Sequence, residues 1–135
     1  MWKNLIETRT SKLLERSMDL SALRSQLLSQ NLANVNTPEY KRMDLDFATV
    51  MNETLAETAL PVTATHQRHL FGSSSEWSQP PVIRENNSSS RVDGNNVDVE
   101  YEMAKVAENS MFFQSLSSSW RSQMSRIKMV IEGRG

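Results

Sequence analysis

The sequence predicts a mainly α protein: long N- and C-terminal helices packed as an antiparallel coiled coil, a short helix after the first turn, and an irregular middle segment with short strands. Three observations predict it. Apolar residues recur at sevens along residues 2–34, and they recur at steps of four and three along residues 97–132. Between 59 and 96 that periodicity gives way to a chain rich in Ser, Asn, Pro and Gly. The expected organisation is therefore residues 1–58 as N-terminal helix, turn and short helix, 59–96 as a polar middle segment, and 97–135 as the C-terminal helix. The two terminal parts together make one coiled-coil domain.

In the first helix Ile6, Leu13, Leu20 and Leu27 lie in register, with Leu23 beside them. At 1.5 Å per residue, a helix over 2–34 is about 45 to 50 Å long. Leu5, Leu14, Leu28 and Leu32 lie off that seam and widen the apolar surface beyond what one partner helix covers. They call for cover by neighbouring molecules, or by the chain's own middle segment. Residues 34–40 end the helix, because Pro38 pushes Thr37 out of the helical basin. Asp44 and Asp46 then offer caps for a helix reaching residue 58, whose apolar face is Phe47, Val50, Met51 and Leu55.

The middle segment cannot repay the entropy of ordering on its own. Trp77, Val82, Ile83 and Val92 punctuate it, and short strands are expected at 62–65 and 82–84. The last helix carries Val99, Met103, Val106, Ser110, Phe113, Ser117, Trp120, Met124, Ile127 and Ile131 as a continuous seam. Acidic residues come early and most basic ones late, the order that suits a helix dipole. Gly94, Asn95 and Asn96 supply a turn and cap before it, and Gly133 and Gly135 stop it.

Composition narrows the function. A net charge of −1 with scattered basic residues gives no electrostatic basis for nucleic acid or anionic lipid as partner. With no cysteine there is neither a disulfide framework nor a zinc-thiolate site. Residues 1–11 lack the apolar core of a cleaved signal peptide, and no run is long enough to insert in a bilayer. His66 and His69 share a His-x-x-His spacing but have no third ligand nearby, so solvated or packed loop histidines are expected. No nucleophile elbow, SxxK pattern, phosphate loop or dinucleotide fingerprint is present. Asp44 with Asp46, and Asp98 with Glu100, stand where helix-start acids belong, and residues two apart on a helix do not face each other. No catalytic residue, metal or cofactor is expected.

Two stretches carry a resemblance. Asn31, Leu32, Ala33, Asn34, Val35, Asn36, Thr37, Pro38, Glu39, Tyr40 resembles the NxANxxTPGY signature of the bacterial flagellar rod and hook axial proteins. Asp93, Gly94, Asn95, Asn96, Val97, Asp98, Val99, Glu100, followed by Glu102, Met103, Ala107, Glu108 and Asn109, is similar to the C-terminal signature of the proximal-rod branch of that family. Met43 to Phe47 and the chain length agree with it. Glu39 replaces the family's glycine, so a type I turn is expected in place of a type II turn.

The resemblance implies a structural subunit exported by the flagellar type III apparatus without a cleaved signal peptide. It would polymerise through its terminal helices in the periplasmic rod, which transmits torque. The implied partners are other copies, the rod proteins FlgC and FlgF, the adaptor FliE, the ring protein FliF and the export gate, for which Phe47 and Met51 would form the recognition motif. The chain would not insert in the membrane. Another rod subunit of FlgC or FlgF type, or a cytoplasmic helical adaptor or export chaperone, are the competing readings. Because two long helices with Arg9, Arg16, Ser110 and Ser117 near their seams leave little surplus over ordering entropy, the ends are expected to be largely unfolded or loosely paired in the monomer and to order on stacking.

Overall fold

A computed structural model of the chain describes residues 8–57, 81–86 and 91–133. Helix α1 runs Arg9–Ala33 and helix α3 runs Val99–Ile131, with strand β1 (Met43–Leu45), helix α2 (Phe47–Glu57) and strand β2 (Val82–Arg84) between them. Both long helices carry an N-terminal cap: Thr8 on α1, which was not expected, and on α3 Asp98, a helix-start acid, in place of Asn95 or Asn96. Thr8 is extended and its hydroxyl accepts from the Ser11 N–H, while Asp98 accepts from the N–H groups of Glu100 and Tyr101. The described part of the expected N-terminal helix begins at Arg9, and residues 2–7 of that expectation lie outside the described residues. Of the predicted seam, Ile6 lies outside the described residues, as do His66, His69, Trp77 and the strand expected at 62–65.

α1 and α3 pack antiparallel: Asn31 meets Glu102, Ser21 meets Asn109, and Ser11 meets Gln123. β1 and β2 form a two-stranded antiparallel sheet in which Met43 faces Arg84, Asp44 faces Ile83 and Leu45 faces Val82. β2 coincides with the strand expected at 82–84. β1 was not anticipated, since three residues bracketed by a turn and a helix carry too little alternation to read.

The core sits beneath α2 and the sheet. Leu20 and Leu27 of α1 pack with Leu45 of β1 and Val50 of α2, flanked by Leu23, Met43, Phe47 and Met51. The seven-residue seam on α1 thus faces the short elements that follow it in sequence, and the line facing α3 is a different one. Leu28, placed off the seam by periodicity and expected to need a neighbour's cover, is fully buried within the chain, whereas Leu14 and Leu32 are half-buried. Two long helices touch along one line only, so the apolar width of α1 is divided between α3 and the α2–sheet layer.

Two local expectations are corrected. Asp46 caps α2, its carboxylate accepting from the N–H (3.1 Å) and hydroxyl (2.6 Å) of Thr49, but Asp44 does not. Asp44 sits in β1 and binds Arg24 and Arg42 instead. Glu39 keeps a positive φ of 59° in spite of its side chain, so the expected type I turn is not formed. Its N–H is held by the Asp93 carbonyl at 2.9 Å, a contact that fixes the left-handed conformation.

Candidate assembly interface

The two stretches that carry the family resemblance close on each other at one end of the helix pair. Asn95, fully buried, donates its amide hydrogens to the carbonyls of Asn34 (2.9 Å), Val35 (3.1 Å) and Thr37 (2.8 Å), in the turn that leaves the C-terminus of α1. Its own oxygen accepts from the Val97 N–H, which sets the buried Val97 and the Asp98 cap at the start of α3. Lys41 reaches the Gly94 carbonyl at 2.7 Å. A Cβ on Gly94, where φ is 75°, would lie 3.7 Å from Cα of Glu39, and the positive φ rather than lack of space asks for glycine. Ala33 and Pro38 are exposed.

Asn31 works in the same way from the other side. Its Nδ2 donates to the Met43 carbonyl (2.8 Å) and to Glu102 Oε2 (3.0 Å), and its Oδ1 accepts from the Met43 N–H (2.9 Å) and the Tyr40 hydroxyl (3.3 Å). One amide thereby stands in for a strand along the outer edge of β1 and also ties it to α3. Sequence reasoning assigned no role to Arg42, yet it is the hub. Its guanidinium binds Glu102 (2.7 Å), Glu85 and Asp44 (3.3 Å), and its N–H binds Asn96 Oδ1 (2.7 Å). Burial works against the charge of Arg42, but the hydrogen bond to Glu102 and the three carboxylates outweigh it, so its pKa is raised. Burial likewise pushes Asp44 up, and the hydrogen bonds from Arg24 and the Leu45 N–H with both guanidiniums bring it below the usual carboxylate range.

Along the rest of the pair the contact line is polar. Glu102, Asn109 and Gln123 are the buried residues of α3, and with Leu116 they recur every seven positions. Asn109 donates to the Ser21 carbonyl (2.9 Å) and accepts from its hydroxyl (3.0 Å). Gln123 donates to Thr8 and Ser11. Polar heptad positions fix register more sharply than leucines, because a one-turn slip strands every partner. Their equal spacing was the available signal in the sequence.

The apolar line predicted for α3 consequently lies to one side of the contact. Met103 is 61% exposed and Ile131 58%, while Val99, Val106 and Phe113 are each more than a third exposed. Trp120, Met124 and Ile127 are half-buried. On α1, Leu20 and Leu27 are buried and Leu13 and Leu23 half-buried, all within the chain. An apolar groove runs beside the stripe, lined by Ser21, Ala22 and Ser25 of α1 and by Val106, Ser110 and Phe113 of α3. The residues Phe47 and Met51 are half-buried: the Phe47 ring meets Phe112 edge to face with centroids 5.3 Å apart, and the Met51 sulfur accepts from the Ser17 hydroxyl. Among the described residues no helix is long and apolar enough to cross a membrane, and no cluster of acidic or histidine side chains could hold a metal ion.

No known family profile matches the chain. It is, however, similar to the flagellar basal body rod protein FlgB of Bacillus subtilis, 27% identical over 120 residues that cover 89% of this chain and 91% of that one. The FlgB proteins of Salmonella typhimurium (26% identical; 88% of this chain and 90% of the relative) and Escherichia coli (25% identical; 87% and 89%) match over the same extent. The resemblance first seen in two short stretches therefore extends along most of the molecule.

Proposed function

We infer that this chain, a relative of the FlgB proteins along nearly its whole length, is a structural subunit of the flagellar basal body rod. The observation that carries the reading is the near-complete coverage of both partners in each comparison, too long to leave out either signature stretch and so not resting on the widespread N-terminal one alone. The geometry supplies a mechanism. Hydrogen bonds and ion pairs within the chain hold α1, the sheet and α3 in register, and the stripe of Val99, Met103, Val106 and Phe113 stays uncovered. Burying it against neighbouring subunits provides a driving force for assembly without disturbing the clasp.

The finer reading comes from the family. The subunit is carried out by the flagellar type III export apparatus without a cleaved signal peptide. It stacks with its own copies and with FlgC, FlgF, FliE and FliF in the periplasm, and it passes torque along the rod with no catalytic step. An export gate that reads Phe47 and Met51 meets them only after α2 has left the core, since both pack there in the folded chain.

The test separates folding from assembly. Met103→Asp and Phe113→Asp alter exposed positions, so far-UV circular dichroism of the purified chain should match the parent. Cells carrying either variant as their sole copy should make the chain yet lack complete rods and not swim. Normal swimming with both variants, or with the gene deleted, would overturn the reading.

A further inference from the structure

α3 has a second exposed face that the stripe does not use. Glu100, Ala104 and Glu108 lie along its first half, Ser118, Ser122 and Arg126 along its second, and Met111, 63% exposed, lies between them. Steps of three and four place these positions on one side of the helix. The halves differ in charge: from Asn109 to Ile131 the helix carries Arg121, Arg126 and Lys128 and no acid, whereas Glu100 and Glu108 mark its first turns.

The basic half borders a groove of about 410 Å³ between α3 and α1, where Thr10 and Leu14 face Ser118, Ser119, Ser122, Gln123 and Arg126. Gln123 is 8% exposed. Its nitrogen is spent on Thr8 and Ser11, and its Oε1 is buried with no hydrogen-bond partner among the described residues. Turning the amide over would only exchange a bare oxygen for a bare N–H group, so among the described residues this groove lacks one polar partner in either orientation.

The geometry points to a second copy of this chain as the occupant, docked by a two-fold axis that sets the two α3 helices antiparallel. Glu100 then faces Arg126 of the other copy, Ala104 faces Ser122 and Glu108 faces Ser118; all three pairs share one midpoint, at position 113. Opposite charges meet at both ends, and small side chains at Ala104 and Ser122 allow close approach. Lys105, whose ammonium is ion-paired with Glu108 at 2.8 Å, lies opposite Arg121 in this register, two residues or about 3 Å from the level of Gln123, and its remaining ammonium hydrogens reach toward Oε1. In the two-fold arrangement the first half of each copy's face meets the second half of the other's, so both halves of both copies are used and the pair is closed. It is a state of the unassembled chain, one that covers Met111 and the groove and must separate before copies add in a single direction.

Two cysteines test the register, since the chain has none of its own. Purified Ala104→Cys/Ser122→Cys should oxidise to a covalent dimer and stop there, while each single variant stays monomeric under denaturing conditions. In sedimentation, reversing both copies' charge with Arg126→Glu should weaken the dimer about tenfold, and adding Glu100→Arg should restore it. A ladder beyond dimers, a disulfide in either single variant, or a chain that stays monomeric at about 0.1 mM would overturn the proposal. None of these outcomes bears on whether the chain is found in rods, which the motility variants decide separately.

Discussion

Replacing Asn31 by Asp changes one atom type at the point where α1, β1 and α3 meet. The carboxylate can still accept from the Met43 N–H and the Tyr40 hydroxyl, but the donors to the Met43 carbonyl and to Glu102 are lost. A neutral hydrogen bond contributes about 0.5 to 1.5 kcal/mol and one to a charged group about 1.5 to 3 kcal/mol, so two losses come to about 2 to 4.5 kcal/mol. The vacated Glu102 stays buried and the Met43 carbonyl partly so, and a second carboxylate now stands where the amide lay 3.0 Å from Glu102, with Arg42 already bound to three acids. The expected loss is therefore at the upper end, about 4 kcal/mol, a large share of the 5 to 15 kcal/mol typical of a domain. Urea unfolding followed by circular dichroism reads it. Two facing carboxylates bind a proton more readily folded than unfolded, so this deficit should shrink as pH falls from 7 to 5. A loss below about 1 kcal/mol, or one indifferent to pH, would refute the role assigned to the clasp.

Glu39→Gly should raise the unfolding midpoint, since relieving a left-handed glutamate gains about 1 to 2 kcal/mol and the added chain freedom of glycine returns about half of it. The lowered pKa of Asp44 means that its contribution is present above the usual carboxylate range and is lost as pH drops through the depressed value. Asp44→Asn should accordingly be less stable at neutral pH and show a shallower acid limb in a melt series. Asn109→Ala strands the buried Ser21 hydroxyl and carbonyl partners and should cost about 1 to 3 kcal/mol, whereas Asn109→Leu with Ser21→Ala should recover much of that in denaturant titrations.

The long helices, the turn and the strand at 82–84 were legible because each rests on local chemistry: spaced apolar residues, capping acids, a proline. What each helix face packs against was not. Leu20 and Leu27 read as a seam for another long helix, yet α2 and β1 lie closer along the chain and cover them first. Meanwhile Glu102, Asn109 and Gln123, polar and therefore unweighted in an apolar periodicity, make the interhelical line. Asn31 was visible only as part of a resemblance and Asn95 only as that and as a turn residue before α3, and the amide of Asn95 gains its meaning when two stretches about 60 residues apart meet. Arg42 left no mark in the sequence, because a buried arginine is recognisable only once its three carboxylates have been placed around it.

Assembly by this route requires the apolar stripe of α3 to be open in the isolated chain and covered in the rod. Met103 reports on it directly, as the most exposed large apolar residue of the stripe. Brief peroxide oxidation followed by mass spectrometry should convert Met103 readily in the purified chain and slow sharply in isolated basal bodies. Equal oxidation rates in the two samples would contradict a stripe buried on assembly.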